Sequence, residues 1–252
     1  MEDQGAVDLS IDGCIATITF SHSKSNSLPG AILNKLADII ANAGDDNKVK
    51  VIILKSAGEK AFCAGASFDE LMAIENKEQG KEFFSGFARV INACRMCPKF
   101  IIGRVQGKAV GGGVGLASAV DYCLATEAAS VKLSELAIGI GPFVVGPAVE
   151  RKMGTAAFTK LAIDATAWQT AQWAEDKGLY NDLFPDIASL DKAVSELADT
   201  LSNSSPEAMA ELKRISWSGT ENWDELLIER AEISGTLVLS EFTSTAIAKF
   251  KS

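Results

Sequence analysis

Gly107-Lys108-Ala109-Val110-Gly111-Gly112-Gly113-Val114-Gly115 joins two apolar runs. The run before it, residues 100–105, is apolar and β-branched, which predicts a buried strand. The run after it, residues 116–124, is apolar and Ala-rich, which predicts a helix. Glycine reaches positive φ and lets another group approach the backbone, so glycines at a helix start leave bare N–H groups pointing outward. The helix dipole makes such an end favourable for negative charge. Two readings stay open from these residues alone: an anion or oxyanion site, or glycines that only let strand and helix pack closely. A nucleotide-phosphate loop does not fit, because no Gly-x-x-x-x-Gly-Lys-Ser/Thr is present and Leu116 stands where a third glycine of Gly-x-Gly-x-x-Gly would fall.

The chain has 252 residues, 47% of them hydrophobic, enough to bury a full core as one large domain or as one domain with a helical appendage. Its net charge of −9 repels nucleic-acid phosphates and anionic membrane surfaces, and no basic cluster offsets it. No uncharged apolar stretch of membrane-spanning length occurs, and Met1-Glu2-Asp3-Gln4 is acidic where a signal peptide would be basic. The expectation is a cytoplasmic protein with neither nucleic acid nor membrane as partner. Five cysteines, Cys14, Cys63, Cys94, Cys97 and Cys123, are odd in number and spread through apolar surroundings, which suits a reducing compartment. His22 is the only histidine, so Cys94-Arg95-Met96-Cys97 lacks partners for zinc, and most Ser-His and Cys-His schemes are removed. No metal site is expected. Acid–base work must fall to carboxylates.

Residues 6–11 and 14–20 alternate at period two around Asp12-Gly13, a strong hairpin signal. Apolar residues at helical spacing predict a helix over 28–43, then a strand over 49–54. Lys60-Ala61-Phe62-Cys63-Ala64-Gly65-Ala66-Ser67-Phe68-Asp69-Glu70-Leu71 supplies a second small-residue turn beside a helix start. A helix over 80–95 leads to the strand at 100–105 and a helix over 113–125. Helices are expected over 144–153, 156–162 and 167–177, and residues from 190 onward read as purely helical. A soft boundary near 196 separates an α/β core (1–195) from a C-terminal helical region (196–252), with no flexible linker between them.

Taken together, Lys60-Ala61-Phe62-Cys63-Ala64-Gly65-Ala66, then Cys97-Pro98-Lys99 before a strand, then Gly111-Gly112-Gly113 leading to Asp121-Tyr122, then Glu135 before Gly139, resemble the crotonase superfamily, the enoyl-CoA hydratase/isomerase family. The resemblance implies an α/β fold, a spiral of ββα repeats closed by a helical trimerisation region. It implies an acyl-CoA thioester as substrate, with coenzyme A arriving as part of that substrate and no further cofactor. It implies an enolate oxygen held by the N–H groups of Ala66 and Gly112, and Glu135 as the catalytic carboxylate. Ala64, Ser67, Phe68, Leu71, Gly115 and Phe143 fall at substrate-binding positions. Lys24, Lys249 and Lys251 are candidate cations for coenzyme A. The family's trimers or paired trimers imply a homo-oligomer, with Leu226, Ile233, Leu237 and Val238 as apolar surface for it.

One departure from the family pattern stands out. Hydratases of the family carry two glutamates around one water; Glu135 matches the second, and Gly115 stands at the first. A single base can still move a proton from C2 to C4 of a 3-enoyl thioester. The pattern therefore favours isomerisation of 3-enoyl-CoA to 2-enoyl-CoA, with hydration by Glu135 alone and a non-catalytic acyl-CoA-binding member as the alternatives. Gly115 has two readings, room for an acyl chain or a water, or tight helix packing. Asp69 and Glu70 read as first-turn helix carboxylates, and Asp121 as the start or cap of an element.

Overall fold

The computed structural model describes residues 5–249. Asp12-Gly13 turns β1 (Ala6–Asp12) back onto β2 (Ile15–Ser21) as an antiparallel pair, with Gly13 at φ +57°. Alternation places Ala16, Ile18 and Phe20 of β2 in the core. Helix α1 (Gly30–Asp45) buries Ile32, Leu33, Leu36 and Ile40, which share one face at helical spacing.

The chain then repeats one move three times. A strand enters a large sheet, and the strand after it enters a small one. The large-sheet strands are β3 (Val51–Ser56), β5 (Phe100–Val105) and β7 (Tyr122–Thr126); each is followed in turn by β4 (Ala61–Cys63), β6 (Lys108–Val110) and β8 (Val131–Lys132). With β9 (Asp182–Phe184), the large sheet has the order β1-β2-β3-β5-β7-β9 and the small one β4-β6-β8, parallel throughout. Each small-sheet strand runs into a turn, so three turns distant in sequence meet at one sheet end.

Helices fill the intervals: α2 (Phe68–Met72), α3 (Lys77–Met96), α4 (Gly112–Ala119), α5 (Gly146–Met153), α6 (Thr155–Ile163) and α7 (Ala171–Asp176). Then come α8 (Ile187–Ser202), α9 (Pro206–Ser216), α10 (Trp223–Leu237) and α11 (Glu241–Lys249). The helix expected over 113–125 stops at Ala119, and residues 122–126 are a strand instead. Val120 is extended (φ −78°, ψ 156°), and the next residues pair in parallel with β5 and β9. A fully buried apolar run carries no periodicity to separate the two structures. Helix α3 starts three residues before the expected Gly80, because the Asn76 side chain accepts the Gln79 N–H at 2.9 Å.

The proposed boundary at 195/196 falls inside α8, whose Leu190, Val194 and Ala198 pack on Val51, Ile53, Ile102 and Leu124 of the large sheet. Further on, α9 is tied to the core by a buried network. Lys213 Nζ donates to the Lys99 carbonyl (2.7 Å) and to Asp121 Oδ2 (2.8 Å), and Trp217 Nε1 donates to Asp121 Oδ1 (2.9 Å). Asp121 also accepts the Ile101 N–H, so this residue joins two strands and a helix. Of the residues expected to give an apolar oligomer face, Val238 is buried beside Leu71 and Ile140, while Leu226, packed on the main core, and Ile233 and Leu237 are half-buried.

Candidate active site

The three turns after β4, β6 and β8 carry Ala64 to Ala66, Gly111 to Gly112 and Ser134 to Glu135, and all line one cavity of about 150 Å³. In the first turn, Leu28 pairs in parallel with Ala66: its N–H donates to the Gly65 carbonyl (2.8 Å), and its own carbonyl accepts the Ser67 N–H (3.0 Å). Strand alternation then turns the Ala66 N–H to the opposite side, where it donates to no acceptor among the described residues. In the second turn Gly111 adopts φ +53°, ψ −116°, a conformation that suits glycine. Its N–H donates to the Lys132 carbonyl, while the Gly112 N–H, in the first turn of α4, has no acceptor among the described residues. The two sequence-expected donors therefore stand bare on one cavity.

Glu135, at the start of the 3-10 helix Glu135–Ile138, lines the same cavity. A β-carbon at Gly111 would come within 2.8 Å of Glu135 Oε1, so the carboxylate is seated on the glycine turn. The residue as a whole is half-buried, yet its Oε2 is shielded from solvent and has no hydrogen-bond partner among the described residues. Burial pushes the carboxyl up from 4.5 to about 7, against smaller opposing effects of the Glu135 and Ser134 backbone N–H groups. Such a group is part acid, part base at neutral pH.

Phe68, Leu71 and Phe143 wall the cavity as expected positions, and Ala64 lines it too. Phe83, Phe84 and Phe87 of α3 also line it. Sequence reasoning missed these three, because aromatics on an amphipathic helix face look like ordinary core. Ser67 and Gly115 do not line the cavity. The Ser67 hydroxyl caps α2 by accepting the Glu70 N–H at 3.3 Å. Gly115 is a packing glycine: a β-carbon there would meet Val145 Cγ1 at 2.5 Å, so Val145, itself a cavity-lining residue, fills the space a side chain at 115 would enter.

The other candidates are engaged elsewhere. Glu70 Oε2 accepts the Gly30 N–H at the start of α1, and Asp69 forms an ion pair with Lys24. Lys249 closes α11, and its side chain, like Lys251, lies outside the described residues. Cys63, beside the first turn, is buried with its thiol pushed up to about 12, which leaves no thiolate at neutral pH. His22 is held in the loop before α1, where its Nδ1 accepts the Lys24 N–H. Among the described residues no cluster of three or more His, Cys, Asp or Glu could hold a metal ion, and no helix is long and apolar enough to cross a membrane.

Two bare backbone donors and a half-buried carboxylate line one apolar cavity, an arrangement suited to a substrate whose carbonyl oxygen gains charge. The enoyl-CoA hydratase/isomerase family model matches residues 10–245. Carnitinyl-CoA dehydratase of Escherichia coli K12 is 30% identical over 223 residues, covering 83% of this chain and 79% of that protein. A probable enoyl-CoA hydratase of Bacillus subtilis is 29% identical over 214 residues, covering 84% and 82%. An enoyl-CoA hydratase structure from Bacillus halodurans shares the fold with a TM-score of 0.88 at 19% identity, covering 96% of this chain and 99% of that one. The chain belongs to the enoyl-CoA hydratase/isomerase family of the crotonase superfamily and is an enzyme of that family.

Proposed function

We infer that the protein converts a 3-enoyl-CoA thioester to the 2-enoyl-CoA isomer, with Glu135 as the only proton carrier. The observation that carries this is the pairing of a partnerless buried Glu135 Oε2 with Val145 packed against Gly115. The first carboxylate of the family's hydratases is replaced here by Gly115, and the adjoining space is filled by Val145, which leaves Glu135 as the one titrating group among the described residues lining the cavity. In this mechanism the thioester oxygen accepts the N–H groups of Ala66 and Gly112. Glu135 takes the proton from C2; the electron pair spreads over the thioester oxygen and the C3–C4 double bond as a dienolate. The protonated Glu135 then returns the proton to C4, leaving the double bond between C2 and C3. Each turnover restores the carboxylate, and no water is consumed. A carboxyl near pKa 7 suits both halves, since its basicity and acidity are balanced at neutral pH.

The names of the Escherichia coli and Bacillus subtilis relatives favour a second reading, hydration or dehydration with Glu135 alone. Coenzyme A remains part of the substrate in both, and we carry forward a homo-oligomer of three or six copies as part of the same proposal. The test is turnover of a 3-enoyl-CoA by the wild type and by Glu135→Gln. Loss of about 10²–10⁴-fold in kcat is expected, the usual contribution of a positioned acid–base group. Equal activity in the two proteins would eliminate Glu135 as the base.

A further inference from the structure

A second cavity of about 400 Å³, open at the surface near Leu136 and Ile163, adjoins the first, and the two share Gly141, Pro142 and Phe143 as a common wall. The active-site cavity is small. At about 150 Å³ it matches the size at which an apolar protein cavity holds one benzene. Five phenylalanines, Phe68, Phe83, Phe84, Phe87 and Phe143, line it, and Glu135 is the one ionisable residue among its described lining. The second cavity continues past Gly146, Phe158 and Ala162 to Glu150 and Arg230. Between them the Phe143 ring is folded back over Gly141, where an added β-carbon would meet the ring within 2.4 Å. Gly141 therefore leaves the space the ring occupies, and the ring is the bulkiest part of the shared wall.

We propose that Phe143 sets the acyl length this enzyme accepts. With the ring in place, the site takes a compact apolar acyl group, about the bulk of a phenyl ring or a six-carbon chain. Truncating the ring joins the two cavities and admits a long straight chain, whose outer methylenes gain apolar burial in the second cavity. The proposal rests on the acyl-CoA reading of the site but not on which reaction follows.

Binding of saturated acyl-CoA thioesters separates these questions, because no turnover is needed. Calorimetry with hexanoyl-CoA and dodecanoyl-CoA should show the wild type preferring the short ligand by about tenfold or more, and Phe143→Ala reducing or reversing that ratio by a similar factor. Phe143→Leu, a milder truncation, should shift the ratio the same way and covers the case in which the alanine variant does not fold. Ala162→Trp, placed in the second cavity on the Phe143→Ala or Phe143→Leu background, should remove the gained dodecanoyl-CoA affinity. Wild-type protein binding dodecanoyl-CoA as tightly as hexanoyl-CoA would overturn the proposal, as would an unchanged ratio in a folded Phe143 variant. Failure of the wild type to bind either thioester would remove the acyl-CoA reading itself, and the proposal with it.

Discussion

Replacing Glu135 by glutamine should stabilise the protein more as the pH rises. The carboxyl is at about 7 when folded against 4.5 ordinarily, so the folded state holds the proton more tightly than the unfolded chain. The stabilisation from that proton is fully present below about pH 4.5 and is lost as pH rises through about 7. Above that, the folded protein carries an ionised carboxylate whose desolvation outweighs its backbone hydrogen bonds. At about 1.4 kcal/mol per pKa unit, the whole span from 4.5 to 7 is worth on the order of 3 kcal/mol. Between roughly pH 5.5 and 8.5 the portion lost is about 2 kcal/mol, reduced toward 1 by water reaching the half-buried outer side chain. The glutamine variant has no such titration. Its Tm should therefore gain on the wild type by about 2–8 °C between those two pH values, at about 2–4 °C per kcal/mol for a chain of this size. Differential scanning calorimetry at both pH values reads this directly. A difference between the proteins that is constant with pH, or that moves the other way, would refute the reasoning that desolvation of Glu135 outweighs its backbone hydrogen bonds.

Gly111→Ala puts a β-carbon 2.8 Å from Glu135 Oε1 in a φ +53° conformation; a stability loss of about 1–3 kcal/mol in urea melts and a fall in kcat are expected. Asp121→Ala removes the carboxylate paired with the 2%-exposed Lys213 and unpairs the Trp217 and Ile101 N–H groups, which should cost about 3–5 kcal/mol, and Lys213→Met in the same chain should recover only the part due to the buried charge. Gly80→Ala drives a methyl to within 2.7 Å of Gly235 Cα at the α3–α10 crossing, so a loss of about 1–3 kcal/mol in thermal melts is expected. Light scattering should report three or six copies at micromolar concentration; a monomer would remove the oligomer proposal.

Several parts of this architecture were legible because local chemistry decides them. Asp12-Gly13 between alternating runs announces the hairpin, and the two small-residue turns show in the residues themselves, whereas the choice of Ala66 and Gly112 as donors came from the family resemblance. Other parts depend on partners remote in sequence. The short strands β4, β6 and β8 have two or three residues each, too few for a period, and they exist because the three repeats align. Leu124 belongs to a strand since β5 and β9 flank it. Gly115 kept two readings until Val145, thirty residues on, was seen filling its space. Phe83, Phe84 and Phe87 carry no local sign that their helix faces a cavity rather than the core.

The central claim is that one carboxylate moves one proton without adding water. Incubating the purified protein with a 3-enoyl-CoA and, separately, a 2-enoyl-CoA in heavy-oxygen water, with mass spectrometry of both products, tests it most directly. Conversion of the 3-enoyl thioester without mass gain, and no entry of heavy oxygen into the 2-enoyl thioester, are expected. Heavy oxygen entering the 2-enoyl thioester would contradict the claim and make the enzyme a hydratase that works without a carboxylate at Gly115.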